Sequence, residues 1–95
     1  MIQRNYRCRR GEIDLVMRDG ELLVFVEVRY RNRDDFGGGA ASVDARKRLK
    51  LVRAAHTYCQ HKGVPAHVSC RFDVVALGPG EREVEWYADA FEVEY

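Results

Sequence analysis

Four residues of this 95-residue chain have types and spacing that can do chemistry together: Glu12, Asp14, Glu27 and Arg29. They stand on two apolar stretches joined by Asp19-Gly20. That dipeptide marks a tight hairpin, because both central positions of a type I′ turn require φ > 0. With Asp19-Gly20 at the turn, Arg18 faces Glu21 and Met17 faces Leu22, and the pairing continues outward in step. Ile13, Leu15, Met17, Leu22, Val24, Val26 and Val28 then share one side, and Glu12, Asp14, Glu27 and Arg29 share the other. In this register Glu12 lies directly opposite Glu27, with Asp14 one diagonal step away. Facing carboxylates destabilise a sheet unless a cation or a raised pKa relieves them. The pattern therefore points to a hard divalent ion, Mg²⁺ or Mn²⁺, on Asp14 and Glu27, with a backbone carbonyl near Val28 and water completing the shell. The plain alternative is a solvated strand end, with Glu12 paired to Arg10 or Arg29.

The elements that must position these groups can be read on either side. Leu22 to Tyr30 is a nearly continuous apolar run before its polar end, as expected of a central strand. Residues 31–41, with Gly37-Gly38-Gly39, read as a loop. Ser42 is the expected N-cap of a helix over about 42–61, with Asp44 in its first turn; Gly63 and Pro65 end it. Ala45, Leu49, Val52, Ala55 and Cys59 recur at helical spacing and form the expected buried stripe. Arg71 to Leu77 reads as a second core strand, parallel to the first because a helix connects them. Gly78-Pro79-Gly80 turns the chain, and Val84 to Tyr87 reads as a short edge strand.

The whole is one domain, residues 1–95, of α/β class, with the order β-β-α-β-β. A four-stranded sheet backed by one long helix leaves one face short of cover, which predicts a homodimer with Trp86, Tyr87 and Phe91 near the contact. No apolar run approaches the length of a membrane span and no signal-peptide pattern opens the chain, so the reading is no membrane and a cytoplasmic location. Cys8, Cys59 and Cys70 are odd in number and widely spaced, which fits reduced thiols. With His56, His61 and His67 they match no standard zinc-ligand spacing. Tyr58, Trp86 and Phe91 read as core or interface residues.

Charge is unevenly spread. Residues 1–53 hold 13 Lys/Arg against 8 Asp/Glu, net +5, and residues 54–95 hold 3 against 7, net −4, which together give the overall +1. The basic groups cluster at Arg4, Arg7, Arg9 and Arg10, at Arg31 and Arg33, and along the helix at Arg46, Lys47, Lys50 and Arg53. Beside an acidic cluster they can neutralise phosphates, with Tyr6, Tyr30 and Phe36 available to stack on bases; the plain alternative is an ordinary solvated surface, and core packing for each aromatic.

Asp14, twelve intervening residues, then Glu27-Val28-Arg29 closing an apolar strand resembles the PD-(D/E)xK nuclease superfamily. Within it, Arg4 to Val16, Phe25 to Arg29, Val43 to Lys47 and Arg71 to Val75 are similar to the uncharacterised YraN-like family, over essentially the whole chain. The resemblance implies a restriction endonuclease-like mixed four-stranded sheet with a long helix between strands 2 and 3, here lacking the usual N-terminal helix. It also implies Asp14 and Glu27 as metal-binding carboxylates, with Arg29 at the signature lysine's position. Arginine departs from that signature: it can bind phosphate or steady developing charge but cannot act as a base.

Two functions follow as expectations. One is a metal-dependent nuclease-like protein in which Asp14, Glu27, Arg29 and Glu12 form the catalytic set, with Arg4, Arg7, Arg9, Arg10, Arg31, Arg33, Lys47 and Lys50 contacting nucleic acid, DNA rather than RNA. The other is a non-catalytic nucleic-acid-binding or assembly module that keeps the fold.

Overall fold

The computed structural model describes residues 2–30, 44–78 and 84–91. The elements are β1 (Gln3–Cys8), β2 (Gly11–Asp19), β3 (Leu22–Tyr30), α1 (Ala45–Lys62), β4 (Cys70–Leu77) and β5 (Val84–Tyr87). They form a mixed α/β domain whose sheet has five strands in sequence order. All neighbouring pairs are antiparallel except β3–β4, which run parallel on either side of the helical connection. The expected four strands are thus joined by a fifth, β1, made from the basic segment at 3–8. Its run Gln-Arg-Asn-Tyr-Arg-Cys buries only Tyr6 and so lacks the apolar alternation that announces a strand. Charged side chains of this kind suit an edge position.

The β2–β3 hairpin forms, with its register shifted by two. Asp19 pairs with Leu22 and Met17 with Val24, so the turn residues are Gly20-Glu21 rather than Asp19-Gly20. Gly20 alone takes the positive φ, 63°, which is the glycine-first requirement of a type II′ turn. A shift of two preserves side-chain parity, so Leu15, Met17, Leu22, Val24 and Val26 share a face as expected. Ile13 does not join them. It is fully buried with Val16 in the helix-side core, three residues apart, so the strand's alternation breaks once between them. At the same level of β1, Asn5 adopts φ 55°, and the pairing passes from Arg4↔Leu15 to Tyr6↔Ile13 in unchanged register with Asn5 and Asp14 left out of it. The residue of β2 at that break is Asp14.

Helix α1 starts at Ala45, and its N-cap is Asp44, not Ser42, which lies outside the described residues. The Asp44 side chain accepts from the Lys47 N–H at 2.9 Å. Gly63, with φ 63°, closes the other end. The buried face is Leu51, Ala54, Ala55 and Tyr58, so of the expected stripe only Ala55 is fully buried; Val52 and Cys59 are half-buried, and Ala45 and Leu49 are exposed. Two aromatic edge contacts fix this rotation, with Tyr58 5.2 Å from Tyr6 and 5.7 Å from Phe25 between ring centroids.

The helix packs over β2 and β1. The main core lies beneath it and includes Ile13, Val16, Phe25, Phe72 and Val74. Val24, Val26 and Val75 are buried on the opposite face, ringed by half-buried Leu15, Met17, Leu22 and Leu77, and this cluster draws only on strands among the described residues. Phe91, expected at an interface, stacks on Phe72 at 5.1 Å in the helix-side core. No described helix is long and apolar enough to cross a membrane.

Candidate active site

The break in β2 determines what Asp14 can reach. Cα pairing between β2 and β3 ends at Leu15↔Val26, and beyond it the Asp14 carboxylate accepts the Val28 N–H at 2.7 Å. A side-chain oxygen here meets a strand amide, which pins the Asp14 carboxylate beside the residue that precedes Val28. That residue is Glu27. It points to the same sheet face as Leu23 and Phe25, and its side chain is only 5% exposed.

Two cations close on Glu27. Lys47 Nζ, from the first turns of α1, lies 3.3 Å from Oε1, and Arg29 Nη1 lies 3.9 Å from the same oxygen. Burial and the neighbouring Asp14 charge push the Glu27 carboxyl up to about 7, while Lys47 works to lower it. A carboxyl poised at neutral pH beside a second carboxylate is an arrangement that a divalent ion would relieve. Two carboxylates suit Mg²⁺ or Mn²⁺, which keep several waters and take the rest of their shell from substrate phosphate. Among the described residues no third His, Cys, Asp or Glu joins the pair.

Glu12 stands apart. In the observed register it faces Arg7 across β1–β2, with Arg7 Nε 3.6 Å from Oε1, and both side chains are mostly exposed. The expected Glu12–Glu27 apposition depended on the hairpin register that the two-residue shift replaces.

The basic residues divide. Arg4 pairs with Leu15, and so lies on the face away from the helix, whereas Arg9 and Arg10 form the β1–β2 turn. That turn abuts the helix: a Cβ at Gly11, whose φ is 153°, would sit 3.2 Å from the Lys50 carbonyl oxygen. Glycine at this position lets the Arg9-Arg10 turn meet the exposed Lys50, so two basic segments distant in sequence adjoin. Arg31, Arg33 and Phe36 lie outside the described residues. Tyr6 is a core residue whose hydroxyl lies 3.1 Å from His61 Nδ1, and Tyr30 is fully at the surface.

Two features escape the sequence reading. One is the Lys47–Glu27 contact, which depends on where a helix 20 residues further along comes to rest. The other is Asp73, fully buried in β4 on the face away from the helix and bound by four donors. Arg71 gives Nε and Nη2 at 2.8 and 2.9 Å, Trp86 gives Nε1 at 2.8 Å, and Asp89 gives its backbone N–H at 2.9 Å. Burial works to raise this carboxyl, but the four hydrogen bonds together hold it below its ordinary value. The signal was an acid inside the apolar run Phe72 to Ala76 with an arginine two residues before it. Asp73 is a structural latch on β5 and has no opening for chemistry. The cysteines are all free thiols, and burial, with Cys70 adjacent, pushes Cys59 up to about 11.

A mixed sheet carrying paired carboxylates at the end of a central strand, flanked by two cations, defines the class of α/β protein to which this chain conforms. The family model of the uncharacterised protein family UPF0102 matches residues 1–77. The chain is 51% identical to a UPF0102 protein of Nitrosospira multiformis over 96 residues, covering 100% of this chain and 79% of that protein. It is 50% identical to one from Nitrosomonas europaea (97% and 77% covered) and 54% identical to one from Xanthomonas oryzae pv. oryzae (95% and 74%). The chain belongs to the UPF0102 family.

Proposed function

We propose that this chain is a metal-dependent, nuclease-like protein with a restriction endonuclease-like fold, binding nucleic acid and hydrolysing its phosphodiester bonds. The observation that carries the reading is the convergence of Asp14 and Glu27, one pinned by a backbone amide and the other buried at the end of a central strand, with Lys47 and Arg29 on the same carboxylate. Asp14 and Glu27 would hold Mg²⁺ or Mn²⁺. When bound, the ion supplies a Lewis acid for the phosphoryl oxygen and lowers the pKa of an attacking water.

The chain's own residues do the rest. The Val28 N–H fixes the Asp14 carboxylate, so its position is set before substrate arrives. Lys47 and Arg29 each reach Glu27 now, and each can turn to a phosphate oxygen and offset charge developing on phosphorus. Lys47 is the compact ammonium that the strand position itself lacks. Arg9, Arg10 and Lys50 extend the positive surface beside the site for backbone phosphates. DNA is the proposed substrate, a homodimer the proposed assembly and the cytoplasm the proposed location.

The test is cleavage of plasmid, single-stranded and branched DNA with Mg²⁺ or Mn²⁺. Asp14→Asn and Glu27→Gln should each abolish it, and Arg29→Lys should retain or raise it. Cleavage that survives Asp14→Asn would overturn the assignment. Binding without cleavage in the parent, with cleavage gained in Arg29→Lys, would favour the non-catalytic module, for which the arginine at the signature position is the supporting feature.

A further inference from the structure

Glu27 has little open surface, and its partners already occupy it. The side chain is 5% exposed, Lys47 Nζ and Arg29 Nη1 both close on Oε1, and Asp14 stands within hydrogen-bond reach of the same carboxyl. Lys47 does for Glu27 in this state what a divalent ion would do: it offsets a buried negative charge. A second cation at that carboxylate competes with the ammonium for its oxygens and is repelled by it at close range. Lys47 and an ion therefore exclude one another at Glu27.

The lysine is placed to leave. Its backbone is fixed, because the Asp44 carboxylate accepts its N–H at 2.9 Å, while its side chain is 38% exposed and turns on a flexible four-carbon stem. Among the described residues Glu27 is the one acid it pairs with. Lys50 follows at i+3, which makes the two lysines neighbours on the helix surface. Lys50 is exposed and adjoins the Arg9-Arg10 turn through Gly11. A strand whose phosphates lie along Lys50 thus passes within the sweep of the Lys47 ammonium, and a phosphate oxygen is a strong alternative acceptor.

On the metal and nucleic-acid reading above, we propose that Lys47 is an exchangeable counter-ion that ties ion binding to strand binding. It holds Glu27 in the free protein and passes to a phosphate when nucleic acid arrives, which opens Glu27 to the divalent ion. The free chain then holds the ion weakly, and the site is completed only on a phosphate backbone. By linkage, the ion tightens the strand by the same factor as the strand tightens the ion.

Two measurements on the full chain test this, each at about pH 8.5 so that Glu27 is ionised throughout. Calorimetry without nucleic acid should show Lys47→Met and Lys47→Gln binding Mn²⁺ about tenfold more tightly than the parent, an ordinary size for coupling between sites. Short labelled DNA, single-stranded and duplex, is then bound with and without Mn²⁺. Stopped-flow anisotropy reads the affinity ahead of any cleavage, and Asp14→Asn gives the effect of Mn²⁺ on DNA alone. Mn²⁺ should tighten DNA on the parent well beyond that background, and the gain should shrink several-fold in both Lys47 variants. Variants that bind Mn²⁺ no more tightly than the parent would overturn the exchange, because the lysine would not be competing. An equal gain in parent and variants would also overturn it, because the lysine would not pass to phosphate. No Mn²⁺ binding to any chain would overturn it together with the metal reading, and no DNA binding at low salt together with the nucleic-acid reading.

Discussion

Glu27 joins structure to function through its proton. Its folded pKa is raised from 4.5 to about 7, so the folded chain binds a proton that the unfolded chain releases. The stabilising contribution of that proton is fully present below about pH 4.5 and is lost as pH rises through about 7. Glu27→Gln should therefore stabilise the fold more at pH 8 than at pH 5, by a difference on the order of 1–3 kcal/mol, seen as a larger rise in melting temperature at pH 8. Paired thermal melts test this, and an equal effect at both pH values would contradict it. Lys47 lowers the same pKa, so Lys47→Met should move the Glu27 carboxyl above about 7, as read by carbon-13 titration. A divalent ion needs the carboxylate ionised, so Mn²⁺ affinity should climb between about pH 6 and 8 with proton release. Calorimetry in two buffers of different ionisation enthalpy measures that release. Asp14→Asn and Glu27→Gln should each abolish the single site, and unchanged binding in both would refute it.

At the scale of elements, the latch around Asp73 sets how firmly the last strand is held. Four donors from β4, β5 and the turn beyond converge on one buried carboxylate, so removing it leaves the half-buried Arg71 guanidinium with Asp19 alone and takes the partner from the Trp86 indole N–H. Asp73→Ala should cost about 3–5 kcal/mol. Chemical denaturation gives the loss, and the change around Trp86 should appear in its fluorescence. Because the Asp73 pKa is depressed, its contribution holds above the ordinary Asp value of 3.8 and disappears as acid carries the pH through the folded value. The elements themselves were legible where apolar period and turn chemistry agreed. Leu22 to Tyr30, Arg71 to Leu77 and the helix with its Gly63 stop all stand where the pattern puts them. β1 was not legible, because an edge strand that buries one tyrosine looks like a charged coil. The hairpin register was missed because two turn types, I′ and II′, both accept Gly20, and only packing on β3 selects between them. For the same reason the site was half legible. Parity put Asp14 and Glu27 on one side, but the break at Asn5 and Asp14, and the arrival of Lys47, are tertiary facts.

The whole molecule places its charge and its apolar surface on different sides. The β1–β2 turn and the helix join their basic residues on one side, so nucleic-acid binding should weaken steeply with salt. Replacing Lys50 and Arg10 by Ala should lower both the affinity and the salt slope; a flat salt dependence would count against phosphate contact. The other side carries Leu15, Met17, Leu22 and Leu77 around the buried valines, with Trp86 half exposed nearby, and no described helix lies over them. An apolar patch that pairs with its own copy closes most simply by a two-fold axis. The contact expected there is Trp86 and the β2–β4 leucines, not Phe91, which the helix-side core already holds. Sedimentation equilibrium at micromolar concentration should give a dimer, and Leu77→Glu, in the ring of the patch and on the face opposite Glu27, should shift it to monomer without altering Mn²⁺ binding. A parent chain that sediments as a monomer, or a Leu77→Glu chain that remains a dimer, would remove this surface as the interface.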